Sequence, residues 1–344
     1  MKKMTMMLTV GVLVFGLAGC ARATGTGSVE TSTQAAEAVT EQANEKPEII
    51  LIRGLNGNRE EIEVEVPYDP ERIAILDMPA LDIIDALELG DRVVGSAKVT
   101  IDYLAQYNPE DSDGVIANLG TVKTADLEQV AISEPDIIFI GGRLSESYEA
   151  LSEIAPVVYL AVDYEKGVAE STEENAKIIA SIFGKEAEVD AMMEGFQDRI
   201  DALRPLVKNK NILLSMYNNN AMSILDSKSQ LNILVKELEG NNLGETIGET
   251  EKATHGEDAS WETIVSLDPE YLFVLDRSTA TGAAEEGVLG AREVVENELI
   301  KELDVYKNDR IIYLIEHANI WYTATGGVQA LDVMLEDLEE ALFE

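Results

Sequence analysis

Four side chains in this sequence have types and positions that could do chemistry together. Arg143 stands just past the run Pro135-Asp136-Ile137-Ile138-Phe139-Ile140-Gly141-Gly142, and Arg277 just past Pro269-Glu270-Tyr271-Leu272-Phe273-Val274-Leu275-Asp276. Their flanks match: Glu128 and Glu262 each precede their proline by seven residues, and each arginine follows it by eight. A guanidinium is a planar fork of donors that stays charged, suited to carboxylate, phosphate or catecholate oxygens. In open α/β sheets ligands sit beyond the carboxyl ends of strands, where both arginines stand. If the two copies face each other, both forks meet one anion. Pairing with Glu146 or Asp276 is the plainer account of the same residues.

The other two are His255, in Ala253-Thr254-His255-Gly256-Glu257-Asp258, and Tyr322, in Ile320-Trp321-Tyr322-Thr323. Neutral imidazole and phenolate oxygen are both reasonable ligands for iron. A chelator with four donor atoms leaves two positions open on octahedral Fe(III), which one His and one Tyr can fill. A bare divalent-metal site would want several histidines and carboxylates, and the chain has only His255 and His317. A solvated loop histidine and a packed aromatic remain the ordinary alternatives. No intrinsic cofactor is expected.

Such residues need a frame. Short β-branched runs, among them Arg72–Leu76, Val93–Gly95, Asp136–Ile140 and Pro156–Leu160, alternate with helical patterns such as Leu81–Leu89, and the alternation restarts at Asn211. This is the signature of parallel sheets covered by helices. Between the halves, Val189, Met192, Met193, Phe196, Ile200, Leu203 and Leu206 fall at spacings of three or four. That spacing predicts one long amphipathic helix over 186–208. The matched copies lie 134 residues apart, too far for a solenoid, and fit duplicated lobes better. The expected fold is α/β: two Rossmann-like lobes, 48–185 and 209–344, with mostly parallel sheets, joined by that rigid helix, with a ligand cleft between them.

Residues 1–20 read as an address. Lys2 and Lys3 precede an apolar run, Met6–Leu17, too short to span a bilayer, and Leu17-Ala18-Gly19-Cys20 closes it. That ending resembles a bacterial lipobox, which implies a signal peptide and a lipid on Cys20, the only cysteine. Residues 21–47 are poor in large apolar side chains and read as a flexible tether. The net charge of −39, from 65 acidic against 26 basic residues, excludes nucleic acid as a partner. It also means that an anionic ligand needs local cationic groups. No nucleophile elbow, His-Glu-x-x-His or phosphate-cradling loop is present, so the expectation is a binding protein and not an enzyme.

From residue 47 onward the chain resembles the substrate-binding proteins of bacterial iron–siderophore ABC importers. The match is carried by Pro70–Ile73 through Leu81–Leu87 to Asp91–Gly95, by both repeat copies, by Thr254-His255-Gly256 and by Trp321-Tyr322. It is closest to the branch for ferric catecholates. The resemblance implies a ferric siderophore as ligand, with His255 and Tyr322 completing the iron coordination and Arg143 and Arg277 on the catecholate oxygens. It implies Glu128 and Glu262 as docking acids for the permease, which works with an ATPase, and a lipid-anchored monomer on the outer face of the membrane. Gln230 stands where that branch often has a third Arg, and nearby Lys228 could substitute for it only as a point charge. The same scaffold could instead hold haem, cobalamin or a hydroxamate siderophore; a surface-anchored enzyme or an adhesion lipoprotein are the readings from other classes.

Overall fold

Runs of apolar residues without alternation suit strands covered on both faces, and the strands that follow from them are largely buried. The computed structural model describes residues 47–247, 260–282 and 287–343. The expected signal peptide with Cys20, nearly all of the expected tether, and His255 lie outside the described residues. Pro47–Glu344 forms one unit.

Its first half runs β1 (Ile49–Leu55), β2 (Glu61–Pro67), β3 (Ile73–Leu76), α1 (Met78–Ala86), β4 (Val93–Ser96) and β5 (Ala117–Asn118). A small hairpin, β6 (Gly120–Thr121) and β7 (Thr124–Ala125), leads to α2 (Leu127–Ile132), β8 (Ile137–Ile140), α3 (Tyr148–Ser152), β9 (Val157–Tyr159) and α4 (Val168–Phe183). Strands β5-β4-β3-β8-β9 form a parallel sheet in that spatial order. Every residue of β3, β8 and β9 is buried. The order reverses between β3 and β8, the topological switch point where such sheets bind ligands. Antiparallel β1 and β2 form a separate hairpin packed against β9.

The helix expected over 186–208 is two helices, α5 (Glu186–Met193) and α6 (Phe196–Val207). Glu194 turns extended and Gly195 takes φ +89°, a conformation open to glycine, so the first helix ends and a second starts at once. The hydrophobic spacing continues across this two-residue joint, so periodicity alone does not register the break. A single rigid connecting rod is therefore absent at this position.

The second half contains β10 (Asn211–Asn218), β11 (Ala221–Ile224), α7 (Ile233–Lys236), β12 (Asn241–Asn242), α8 (Trp261–Leu267), β13 (Tyr271–Asp276) and α9 (Arg277–Thr281). It closes with α10 (Ala291–Val295), α11 (Asp304–Lys307), β14 (Ile311–Leu314), α12 (Ala318–Thr323) and α13 (Val328–Phe343). The sheet order is β11-β10-β13-β14, with β12 also on β10. Only β11 runs antiparallel. Its order reverses between β10 and β13, so each half has its own switch point.

One helix departs from the expected lobe plan. Although α13 ends the chain, it packs on α1, α4 and α6. Asp82 of α1, fully buried, accepts from the backbone N–H groups of Gln329 and Ala330, each at 3.0 Å, and from the Tyr103 hydroxyl at 2.6 Å. A carboxylate from the first half thus caps a helix of the second. Burial pushes the Asp82 carboxyl up to about 6, the hydrogen bonds opposing that rise. Among the described residues no helix is long and apolar enough to cross a membrane.

Candidate ligand-binding site

At the first switch point, Asp77 follows directly on β3, and Gly141 and Gly142 follow directly on β8. Asp77 caps α1 by accepting from the Ala80 N–H at 3.2 Å, and Pro79 sits in the first turn, where a missing N–H does no harm. The cap starts α1 three residues before the apolar spacing suggested. Gly141 is required here, since a Cβ would fall 2.2 Å from the Asp77 Oδ1. Burial pushes the Asp77 carboxyl up to about 6, with the Ala80 N–H and the Arg143 charge pulling the other way. Arg143 follows at once, with its side chain exposed.

The second switch point is built alike. Asp276 ends β13 and caps α9, accepting from Thr279 N–H at 3.0 Å and from its hydroxyl at 3.0 Å. Arg277 is the first residue of α9. Its Nη1 donates to Asn218 Oδ1 at 2.8 Å, at the end of β10, and its Nε donates to the Tyr322 hydroxyl at 2.9 Å. Tyr322 lies on α12, 6 % exposed.

The two halves meet at that tyrosine. The Arg143 guanidinium lies 5.3 Å from the Tyr322 ring centroid and that of Arg277 lies 5.5 Å from it. Both are within reach of a cation–π attraction. Neither arginine has a carboxylate at ion-pair distance among the described residues, so the plainer account, pairing with Glu146 or Asp276, does not hold.

A cavity of about 250 Å³ opens here, lined by Asp77, Arg143, Tyr164, Gln230 and Tyr322 among others. Arg277 reaches it through Tyr322 and does not line its wall. Gln230 does, so the place of the expected third arginine holds a neutral amide facing the cavity. Lys228 is no substitute, because its ammonium pairs with Glu165 at 2.8 Å. Among the described residues no three His, Cys, Asp or Glu stand together as a metal-holding group. Asp77, Tyr164 and Asn218 were not singled out in the sequence. Asp77-Met78-Pro79 after a strand is a legible cap signal, whereas nothing in the local sequence marks Asn218.

Glu128 and Glu262 occupy equivalent places. Each is the second residue of a short helix, α2 or α8, capped by Asp126 on Gln129 N–H or by Ser260 on Thr263 N–H, both at 3.1 Å. Both are exposed and make no ion pair among the described residues.

Residues 73–318 match the model of the periplasmic binding protein family. The petrobactin-binding protein YclQ of Bacillus subtilis (strain 168) is 31% identical over 344 residues, 99% of each chain. Its crystal structure superposes with a TM-score of 0.75, covering 86% of this chain and 99% of that one. The catecholate-siderophore binding protein VctP of Vibrio cholerae gives 0.72 at 27% identity, covering 85% and 100%. The iron uptake ABC transporter substrate-binding protein PiuA of Streptococcus pneumoniae gives 0.74 at 28%, covering 87% and 100%. With two mixed α/β halves, paired switch points and these relatives, the chain belongs to the periplasmic binding protein family.

Proposed function

We propose that this chain is the extracytoplasmic substrate-binding protein of an ABC importer and that it captures a ferric siderophore, of the catecholate kind, between its two halves. The observation that carries the reading is the pair of carboxylate-free guanidiniums, one from each half, on a single tyrosine. In a chain of net charge −39 such groups suit an anionic ligand. The relatives support the same reading, since their names describe binding proteins for petrobactin and catecholate siderophores.

In this account Tyr322 and His255 complete the Fe(III) coordination, and Arg143 and Arg277 hold the catecholate oxygens. Iron arrives as cargo within the chelate, and no resident cofactor takes part. Cys20 carries a lipid that holds the protein at the membrane. Glu128 and Glu262, matched and exposed, dock to the permease, which an ATPase drives. The helix-dipole role of an acid in the first turn predicts the same positions, so both roles coexist. The protein acts as a monomer, with 48–185 and 209–344 as its lobes and α13 lent by the second to the first.

Quenching of tryptophan fluorescence tests the reading, because Trp321 is fully buried beside Tyr322. Ferric catecholate complexes should quench it saturably. Quenching by haem or cobalamin but by no ferric catecholate would overturn the assignment.

A further inference from the structure

The hairpin of β1 and β2 brings a third arginine to this region. Arg59 Nη2 donates to the carbonyl of Gly142 at 3.1 Å, the residue before Arg143. Like Arg143 and Arg277, Arg59 has no carboxylate at ion-pair distance among the described residues, in a chain with 65 acids. Arg72 and Arg310 also lack one, but elsewhere. The donors of Arg72 are taken by the Ser133 and Glu134 carbonyls, and Arg310 lies over Tyr271.

The turn holds Arg59 in an uncommon backbone. Its φ is +64°, left-handed and rare for a long side chain. Asn56 fixes that turn: its carbonyl accepts from the Arg59 N–H at 2.9 Å, and its Oδ1 accepts from the N–H groups of Asn58 and Glu60. Such strain persists only where surrounding contacts impose it and is a pointer to use.

Arg59 also lines a second cavity, of about 320 Å³, which shares Leu160, Ala161, Val162 and Asn175 with the first. The other cations there are already engaged: Arg53 and Lys166 both pair with Glu174, at 3.8 and 2.5 Å. Glu61 and Asp163 also line it, and of its cations Arg59 presents the fork that no acid among the described residues meets at ion-pair distance.

We infer that Arg59 and this second cavity form an anion subsite contiguous with the main one, which holds a carboxylate or catecholate arm of the chelate bound there. It supplies a third cationic contact that Gln230 does not. The inference rests on the proposed function, because it takes the ligand of the main cavity to be an anionic ferric chelate.

The test uses two ferric bis-catecholate chelates, identical except that one carries a pendant carboxylate. Both are titrated by fluorescence into the wild type, Arg59→Gln and Arg59→Lys. The wild type should bind the carboxylate-bearing chelate about tenfold more tightly, as one charge-assisted hydrogen bond allows. Arg59→Gln should erase that preference while leaving the other chelate within about twofold, and Arg59→Lys should keep part of it. A role confined to anchoring the hairpin would weaken both chelates equally and lower the unfolding temperature, which is measured alongside. No preference in the wild type, or one that survives in Arg59→Gln, overturns the subsite alone. A wild type that binds neither chelate overturns the ferric catecholate reading and the subsite with it.

Discussion

The two halves deliver an arginine from the same place in the same plan, yet they hold it differently. Arg277 is half-buried and fixed on two sides, by Asn218 and by the Tyr322 hydroxyl. Arg143 is exposed, and among the described residues its guanidinium is held by no hydrogen bond or ion pair and lies over the face of the same ring. The second half therefore holds a preset guanidinium behind Tyr322, and the first an adaptable one that lines the cavity. Preorganisation lowers the ordering cost of binding, so the preset fork should carry more of the affinity and the adaptable one should adjust to the shape of the chelate.

What joins the halves gives the largest expected effect. Asp82→Ala leaves the buried N–H groups of Gln329 and Ala330 and the Tyr103 hydroxyl without their acceptor, and should destabilise the protein by about 3 kcal/mol in denaturant unfolding. If the loss is small, α13 is held by packing alone and the halves are less tied than described. The same carboxyl has a pH signature. Its folded value of about 6 lies above the unfolded 3.8, so the fold binds more protons between these values. Its contribution is fully present below about pH 4 and is lost as pH rises through about 6. Asp82→Asn should remove that fall, so the stability gap between wild type and variant should narrow from pH 4 to 6.

The arginines come next. Arg277→Gln should weaken ferric catecholate binding about 30-fold, and Arg143→Gln about tenfold, within the range for hydrogen bonds to charged groups. A larger loss at Arg143 would reverse the comparison. Asn218→Ala releases one side of Arg277 and should cost about fivefold, moving the preset fork toward the adaptable one. Isothermal titration of the three variants against one chelate ranks them directly.

Much of this was legible because it is local. Uninterrupted apolar runs gave the buried strands, and the matched spacing from Glu128 to Arg143 and from Glu262 to Arg277 gave two equivalent strand ends. What escaped was non-local or compensated. Asp82 and Ala330 lie 248 residues apart in sequence, and nothing near either announces the other. Gly195 breaks a helix whose apolar spacing runs on across the break, so periodicity missed it. Asn218 ends β10 as an ordinary polar residue and gains its role only where β10 pairs with β13. The glutamine in place of an arginine at Gln230 was legible from resemblance, whereas the placement of Arg59, with no acid at ion-pair distance among the described residues, required the hairpin to be folded beside Gly142.

The central claim is that both halves close on one ferric chelate through Tyr322. The visible spectrum of the complex tests it most directly, because a phenolate bound to Fe(III) adds a charge-transfer band that a catecholate complex in solution lacks. The wild-type complex should show that band, Tyr322→Phe should lose it and bind more weakly, and Arg143→Gln should keep it at lower affinity. A wild-type spectrum identical to that of the free chelate, or one unchanged in Tyr322→Phe, would contradict it.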